Sequence, residues 1–320
     1  MSSVPRVSVV IPAYNVAPFI GEALESVFSQ TFADYEVIVV NDGSPDTQEL
    51  ESALAPRLSR LRYIKQANQG ASAARNAGLK AARGEFVAFL DADDAWLPEY
   101  LKRQLKFLDE RGADLVCADA AIFGETRDAG RTFMQLYMGT APAAGGVTFL
   151  DLLSAEKCLI TSGILVRLKT VLEVGLFDEG LRNAQDYDLW MRLARHNARL
   201  AYQRETLLRY RVRRGSLTGD AINSNLRDLR VFDKIEREYS LGPDESREAS
   251  AVIRKRRAQL EYDLGALYLL KRDFSKSADS FSRAERHGGG WKPRAALRFV
   301  RAAPQLMLAL YTRRLEHKRR

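Results

Sequence analysis

The sequence predicts an α/β fold, a mostly parallel sheet with flanking helices, followed by a helical C-terminal region. Three observations carry this. Over the first hundred residues, short β-branched runs alternate with segments of helical spacing, the pattern of parallel strands joined by crossover helices. The run Phe86-Val87-Ala88-Phe89-Leu90 is continuously apolar, as a strand buried on both faces must be. Beyond about residue 220 every apolar pattern is helical.

The elements follow in order. Val7-Ser8-Val9-Val10-Ile11 reads as a first strand stopping at Pro12. Ala17 to Gln30 places Ile20, Leu24 and Val27 on one helical face. Glu36 to Val40 is a second strand, ended by the turn-forming Asn41-Asp42-Gly43-Ser44. A helix over Gln48 to Leu58, a short strand at Arg62-Tyr63-Ile64 and an Ala-rich helix from Ala71 to Arg83 lead to the strand at Phe86. Trp96 to Glu110 is a further helix and Ala113 to Ala118 a further strand, and Gly124 to Gly146 reads as an irregular loop. Asp186 to His196 carries an apolar stripe of Leu189, Trp190 and Leu193. Leu226, Leu229, Phe232 and Ile235 mark a later helix. Leu264 to Ala284 is similar to one tetratricopeptide hairpin, through Gly265, Tyr268, Phe281 and Ala284. A single repeat cannot bury its own faces, so it is expected to dock on the body of the first domain. The resulting expectation is a domain over 1–222, a helical region over 223–290 and a basic amphipathic tail over 291–320.

A chain of 320 residues, 46% hydrophobic and 28% charged, has the composition of a globular protein with a real core. Cys117 and Cys158 have no metal-ligand or redox spacing and are read as reduced core residues. The first apolar run is too short for a signal peptide, and no stretch approaches the ~18 apolar residues of a membrane span. A cytoplasmic location is expected. The net charge of +8 sits in the tail, where nine basic residues from Lys292 to Arg320 face Glu316 alone.

Chemistry is concentrated at Asp91-Ala92-Asp93, directly after the buried apolar run. Ligands of open α/β sheets collect at the carboxyl ends of strands. Two acids placed there repel unless a cation lies between them, and a hard divalent ion with its phosphates is the natural one. An acidic turn after the second strand, at Asp42, belongs to the same sheet edge.

The stretch from Val7 to Trp96 resembles the nucleotide-sugar-binding half of family 2 glycosyltransferases, which have the GT-A fold. The residues carrying the resemblance are Val9-Val10-Ile11-Pro12-Ala13-Tyr14-Asn15, Val39-Val40-Asn41-Asp42-Gly43-Ser44, Asn68-Gln69-Gly70 with Ala74-Arg75-Asn76-Ala77-Gly78, and Phe89-Leu90-Asp91-Ala92-Asp93-Asp94. Gln185-Asp186-Tyr187-Asp188-Leu189-Trp190 is similar to the acceptor-side block of that family. The likeness runs from about residue 5 to 215, with its blocks in the family's order.

The resemblance implies an inverting, non-processive transferase that moves a sugar from a nucleoside diphosphate, a UDP-sugar being expected, to an acceptor hydroxyl. Surface polysaccharide, lipopolysaccharide or glycolipid synthesis is the implied setting, with a glycan or lipid-linked acceptor. Pro12, Ala13 and Tyr14 would border the nucleotide, Asp42 would accept a hydrogen bond from the base, and Arg75 would hold the nucleotide. Asp91 would reach ribose or sugar, and Asp93 would bind Mg2+ or Mn2+ bridging the diphosphate. Asp186 would be the general base, with Asp188 as its rival two residues along the helix. The family often has Glu-Asp at this block, and neutral Gln185 removes a like charge beside the base. The Gln-x-x-Arg-Trp block of processive synthases is absent. The loop Tyr210-Arg211-Val212-Arg213-Arg214-Gly215-Ser216-Leu217 either closes its arginines over the diphosphate or carries ordinary surface charge.

Rival readings are a nucleotidyltransferase of related fold, a sugar-nucleotide-binding protein and a catalytically weak binding module. A dinucleotide-binding oxidoreductase lacks its G-x-G-x-x-G turn here. Nucleic acid is not an expected partner, because the basic tail is not interleaved with aromatic stacking residues. The tail reads instead as a helix for an anionic membrane surface, with Leu297, Val300, Met307, Leu308, Tyr311 and Leu315 among arginines and a break at Pro304. That would make the protein peripheral on the inner face of a membrane.

Overall fold

The computed structural model describes residues 4–138, 146–155, 158–181, 184–213 and 221–319. They form two compact units, Met1–Arg214 and Gly215–Arg320.

In the first unit, β1 (Val7–Ala13), α1 (Ala17–Phe28), β2 (Tyr35–Asp42), α2 (Thr47–Leu54), β3 (Arg62–Gln66), α3 (Ala71–Ala81) and β4 (Phe86–Phe89) alternate as the sequence predicts. Helix α2 passes into a 3-10 turn at Ala55–Arg60, where Pro56 lacks the N–H that a helix interior needs. There follow β5 (Ala95–Trp96), α4 (Tyr100–Arg111), β6 (Leu115–Gly124), α5 (Phe133–Tyr137), β7 (Gly146–Val147), α6 (Phe149–Ser154) and a 3-10 turn at Thr161–Gly163. The unit closes with β8 (Ile164–Arg167), α7 (Leu168–Glu173), α8 (Gln185–Arg195) and β9 (Leu200–Val212).

Three local expectations are corrected. Trp96 belongs to a strand and not to the following helix, because Pro98 separates it from α4, which begins at Tyr100. The stretch read as an irregular loop contains α5, started by a capping box between Thr132 and Gln135. Its residues 139–145 lie outside the described ones. Strand β9, 13 residues long, was hidden because Arg204, Glu205, Arg209 and Arg211 interrupt its apolar pattern.

Among the described residues the sheet has nine strands, in the order β3-β2-β1-β4-β8-β6-β9-β5, with β7 also on β9. The β3-β2-β1-β4 half is wholly parallel. The other half is mixed, since β8 runs antiparallel to β4 and β6 while β6 and β9 run parallel. From β1 the chain moves outward to β2 and β3, then returns to β4 on the other side of β1. That reversal opens a crevice at the carboxyl ends of β1 and β4, where ligands of such sheets bind.

The core of this half is β-branched. Val9, Val10, Ile11, Val39 and Val40 are fully buried, each contributing on the order of 2 kcal/mol by removal from water. Helix α3 lies close against them because Gly78 has no side chain: a Cβ there would stand 2.3 Å from Val10 Cγ1.

The second unit is helical: α9 (Ala221–Glu238), α10 (Pro243–Leu270), α11 (Phe274–Arg286), α12 (Trp291–Ala302) and α13 (Pro304–Arg319). The α10–α11 hairpin closes tightly because Phe281 packs on Gly265, where a Cβ would lie 2.6 Å from the ring. Asp273 starts α11 by accepting from Lys276 N at 3.1 Å. Leu269, Phe281, Ala296, Leu297, Val300 and Met307 form one core, with Leu308 and Tyr311 against it. The hairpin is therefore covered by α12 and α13 within its own unit, where the sequence suggested the first domain as its cover.

This corrects the reading of the tail. Pro304 divides it as expected, but five of its named apolar residues pack inward, and the Leu315 side chain lies outside the described residues. Leu306, at 55% exposure, and Leu310, at 50%, remain outside instead. No described helix is long and apolar enough to cross a membrane.

Candidate active site

Loops at the carboxyl ends of β1, β2 and β4 build the site. After β1, Ala13 is buried while the Tyr14 ring is exposed, and Asn15 adopts the left-handed conformation with φ 54°. Asn15 N donates to Ser44 Oγ at 2.6 Å, and Ala17 N to Asp46 Oδ2 at 2.8 Å. The first loop is thus tied to the second. Pro12, still within β1, has no N–H to spend and sits opposite Val40.

After β2, Asn41 is fully buried and accepts from Ser44 N at 2.8 Å. Gly43 has φ +62°, and a Cβ there would stand 2.5 Å from Asn68 N, so the turn needs glycine. Asp42 is also buried. Its Oδ1 accepts from Gln66 Nε2 and Gln69 N, and its Oδ2 from Gly70 N at 2.7 Å. Asp42 therefore orders the loop that leads into α3. Three donors use three of the roughly four acceptor positions of a carboxylate.

Helix α3 acts in three directions through residues within one turn of each other. Arg75 Nη2 meets Asp91 Oδ1 at 2.6 Å. Asn76 donates to Phe177 O at 2.9 Å and accepts from Phe177 N at 3.0 Å, fixing the loop that precedes α8. Gly78 sets the approach to the sheet, as described above.

After β4, the acidic turn is held by neighbours that sequence reasoning missed. Asp94 is almost wholly buried. Its Oδ2 accepts from Ser162 Oγ at 2.6 Å and its Oδ1 from Arg211 N at 2.8 Å. Burial first, then Asp91 and Asp93, push its carboxyl well above the usual range. Ser162 Oγ also accepts from Asp91 N at 3.1 Å. Asp93 Oδ2 accepts from Arg213 Nε at 2.7 Å. Burial raises Asp91 too, against the pull of Arg75, and the Asp93 and Asp186 carboxylates add to the rise. Asp186 is therefore near enough to share this electrostatic field.

Asp186 lies in the first turn of α8. Its Oδ2 accepts from Thr161 Oγ1 at 3.1 Å. Thr161 thus orients one carboxylate while Ser162, its neighbour, fixes the acidic turn. The 3-10 turn at 161–163 couples the two halves of the site, and no motif in the sequence marks it. Phe89, Phe177 and Trp190 support both halves from behind, with ring centroids 5.4–6.2 Å apart.

Asp188 is separated from this group. It is fully buried and bound by Arg192 at 2.8–2.9 Å, whose guanidinium also donates to Val174 O and Leu176 O. Its task is to hold the α7–α8 connection. Gln185 is buried beside Asp186, and its Oε1 has no hydrogen-bond partner among the described residues.

Residues 8–144 match the family described as Glycosyl transferase family 2. Over this segment the chain is similar to glycosyltransferase family 2. An uncharacterized glycosyltransferase of Rickettsia bellii (strain RML369-C) is 34% identical over 194 residues, covering 60% of this chain and 28% of that protein. Uncharacterized glycosyltransferase EpsJ of Bacillus subtilis (strain 168) is 44% identical over 114 residues, 35% of this chain and 33% of that one. The chain thus spans about a third of the length of these relatives. S. aureus TarS 1-349, solved with UDP-GlcNAc, superposes with a TM-score of 0.67 at 23% identity, over 93% of this chain and 87% of that one. Mannosyltransferase PcManGT from Pyrobaculum calidifontis, solved with GDP-Man and Mn2+, gives 0.62 at 19% identity, over 97% and 85%. At such identities these two share only the fold with this chain, which is the GT-A fold expected from its sequence.

Proposed function

We propose that the chain is an inverting glycosyltransferase that moves a sugar from a nucleoside diphosphate to an acceptor hydroxyl. The observation that carries the proposal is the pairing of two carboxylate groups across one turn. Ser162 fixes the Asp91–Asp93 side and Thr161 orients Asp186. A donor-binding half and a proton-accepting half are thereby held at a fixed relation.

The donor lies across the ends of β1, β2 and β4 in this reading. Pro12 and Ala13 border the nucleotide, and the Tyr14 ring offers a flat face to base or ribose. The remaining acceptor position of Asp42 suits a uracil imide. Arg75 holds Asp91 towards ribose or sugar. UDP-GlcNAc in TarS and GDP-Man in PcManGT are both nucleoside-diphosphate sugars, the class proposed here, with a UDP-sugar as the first candidate.

The donor set fits a divalent ion. No described group of three or more His, Cys, Asp or Glu residues encloses a metal by itself. Mg2+ and Mn2+ sites commonly use one or two carboxylates and take the rest from phosphates and water. Asp93, a hard oxygen ligand beside a carboxylate-rich turn, suits that arrangement. When bound, such an ion acts as a Lewis acid that offsets charge developing on the diphosphate.

Asp186 accepts the proton of the acceptor hydroxyl, which is otherwise a poor nucleophile. With one base and no covalent partner assigned, attack on C1 is a single displacement and the anomeric centre inverts. We assign the acceptor to a glycan or lipid-linked hydroxyl. A peripheral membrane contact would use Leu306 and Leu310, which are exposed, with the net positive charge of the sequence over 304–320. Deleting 304–320 should then release the protein from anionic vesicles, and unchanged binding would remove that contact from the account.

The direct test is a donor screen that measures nucleoside diphosphate release and thermal shift, with each sugar nucleotide and either metal. One sugar nucleotide should bind and turn over in the presence of metal. Failure of all of them to bind the intact protein would sink the proposal.

A further inference from the structure

The end of β9 lies on the acidic turn through two arginines that are bound in different ways. Arg211 is anchored from several sides. Its N donates to Asp94 Oδ1 and its Nε to Asp93 O, both at 2.8 Å, and its Nη2 pairs with Glu22. Arg213 follows two residues later, on the same side of an extended chain. Its Nε meets Asp93 Oδ2 at 2.7 Å, with the two side chains 25% and 18% exposed. The guanidinium carbons of Arg211 and Arg213 stand 5.1 and 5.3 Å from the Phe19 ring. One arginine fastens the strand end, and the other occupies the carboxylate that the proposed function gives to the metal.

We infer that Arg213 is the internal counter-cation of Asp93 in the nucleotide-free protein and moves to the donor's diphosphate on binding. Metal and donor then bind cooperatively. This rests on the assignment of Asp93 to the metal. The physical reason is competition for one carboxylate. While Arg213 holds Oδ2, it withdraws lone pairs a hard cation needs and sets a second positive charge beside it. An arriving diphosphate offers the guanidinium oxygen pairs that match its fork. Arg213 then leaves Asp93, and Asp93 becomes a full ligand. Arg211 need not move, because its partners Asp94 and Glu22 are not donor ligands in this account. Phe19 gives the displaced guanidinium a surface along which to shift.

The experiment measures Mn2+ binding to the full chain by electron paramagnetic resonance, with and without UDP, for the intact protein and for Arg213→Gln. Without UDP, the variant should bind Mn2+ about tenfold more tightly, equal to about 1.4 kcal/mol. With saturating Mn2+, it should bind UDP about tenfold more weakly. Opposite shifts are the signature, since a merely structural loss would weaken both. Arg213→Lys should restore weak Mn2+ binding by returning the charge, while recovering only part of the UDP affinity because the fork is lost. Thermal unfolding of each variant checks that the fold is retained, and the Lys variant carries the test if the Gln variant is unstable. Unchanged or weaker Mn2+ binding in folded Arg213→Gln would overturn the inference and leave the donor site standing. Absence of both Mn2+ and UDP binding in the intact protein would overturn the donor site with it.

Discussion

Arg75→Met tests whether the acidic turn is held by charge pairing. The Arg75–Asp91 contact is 2.6 Å long, with side chains 7% and 32% exposed. Breaking a buried pair costs about 3–5 kcal/mol, and an exposed pair is worth about 0–1 kcal/mol. Asp91 is a third exposed, so water can partly replace the lost guanidinium, and the expected cost is about 2 kcal/mol. For a unit of this size that lowers the melting temperature by about 4–8 °C. Methionine keeps an unbranched stem of similar length and loses only the guanidinium, which stands 5.6 Å from the Phe177 ring. Asp91→Asn should cost less than Arg75→Met, because burial and the Asp93 and Asp186 carboxylates already disfavour the charge on Asp91. Urea unfolding of both single variants and the double variant gives the coupling, expected at about 2 kcal/mol. Strict additivity, or an Arg75→Met cost below about 0.5 kcal/mol, would refute the pairing as the turn's support.

Further outcomes follow from other contacts. Asp188→Ala strands Arg192 and frees the loop at Val174 and Leu176, so stability should fall by about 3 kcal/mol. Residual activity per folded molecule should survive, as activity normalised to native fraction will report. Gly78→Leu must push α3 off Val10, and a shift of the urea midpoint worth less than about 2 kcal/mol would count against that close packing. His287 lies below its ordinary value of 6.5, through burial first and then Arg257. The unfolded chain therefore takes up the proton first as pH falls, and stability of the second unit drops from pH 6.5 downward. Unfolding at pH 7.5 and 5.5 should show this in the intact protein and much less in His287→Gln.

The proposed donor half is legible in the sequence because its chemistry is local. The runs before Pro12, Asn41 and Asp91 are strands by composition, and the residues ending them point to the site by position alone. Gly43 and Gly78 were readable as part of blocks, though the close contacts that demand them are not. Coupling of the two halves was not legible. Thr161 and Ser162 are two small polar residues in a stretch without periodicity, and they matter only because β8 returns antiparallel beside β4. Asp94 takes no role from the sequence because its partners, Ser162 and Arg211, lie far away along the chain. The tail follows the same logic: Leu297, Val300 and Met307 look amphipathic alone, but they share a core with Leu269 of α10 and Phe281 of α11. The resemblance points to Asp186 with Asp188 as its rival, and Arg192 holds Asp188 in an ion pair away from the acidic turn.

The central claim is that Asp186 is the base and the β4 turn is the donor site. Asp186→Asn should be measured for donor binding and for sugar transfer in the same preparation. The account predicts that donor affinity stays within about twofold while transfer falls by about 10²–10⁴, the usual worth of a general base. Transfer at the wild-type rate, or loss of donor binding in a folded variant, would contradict it.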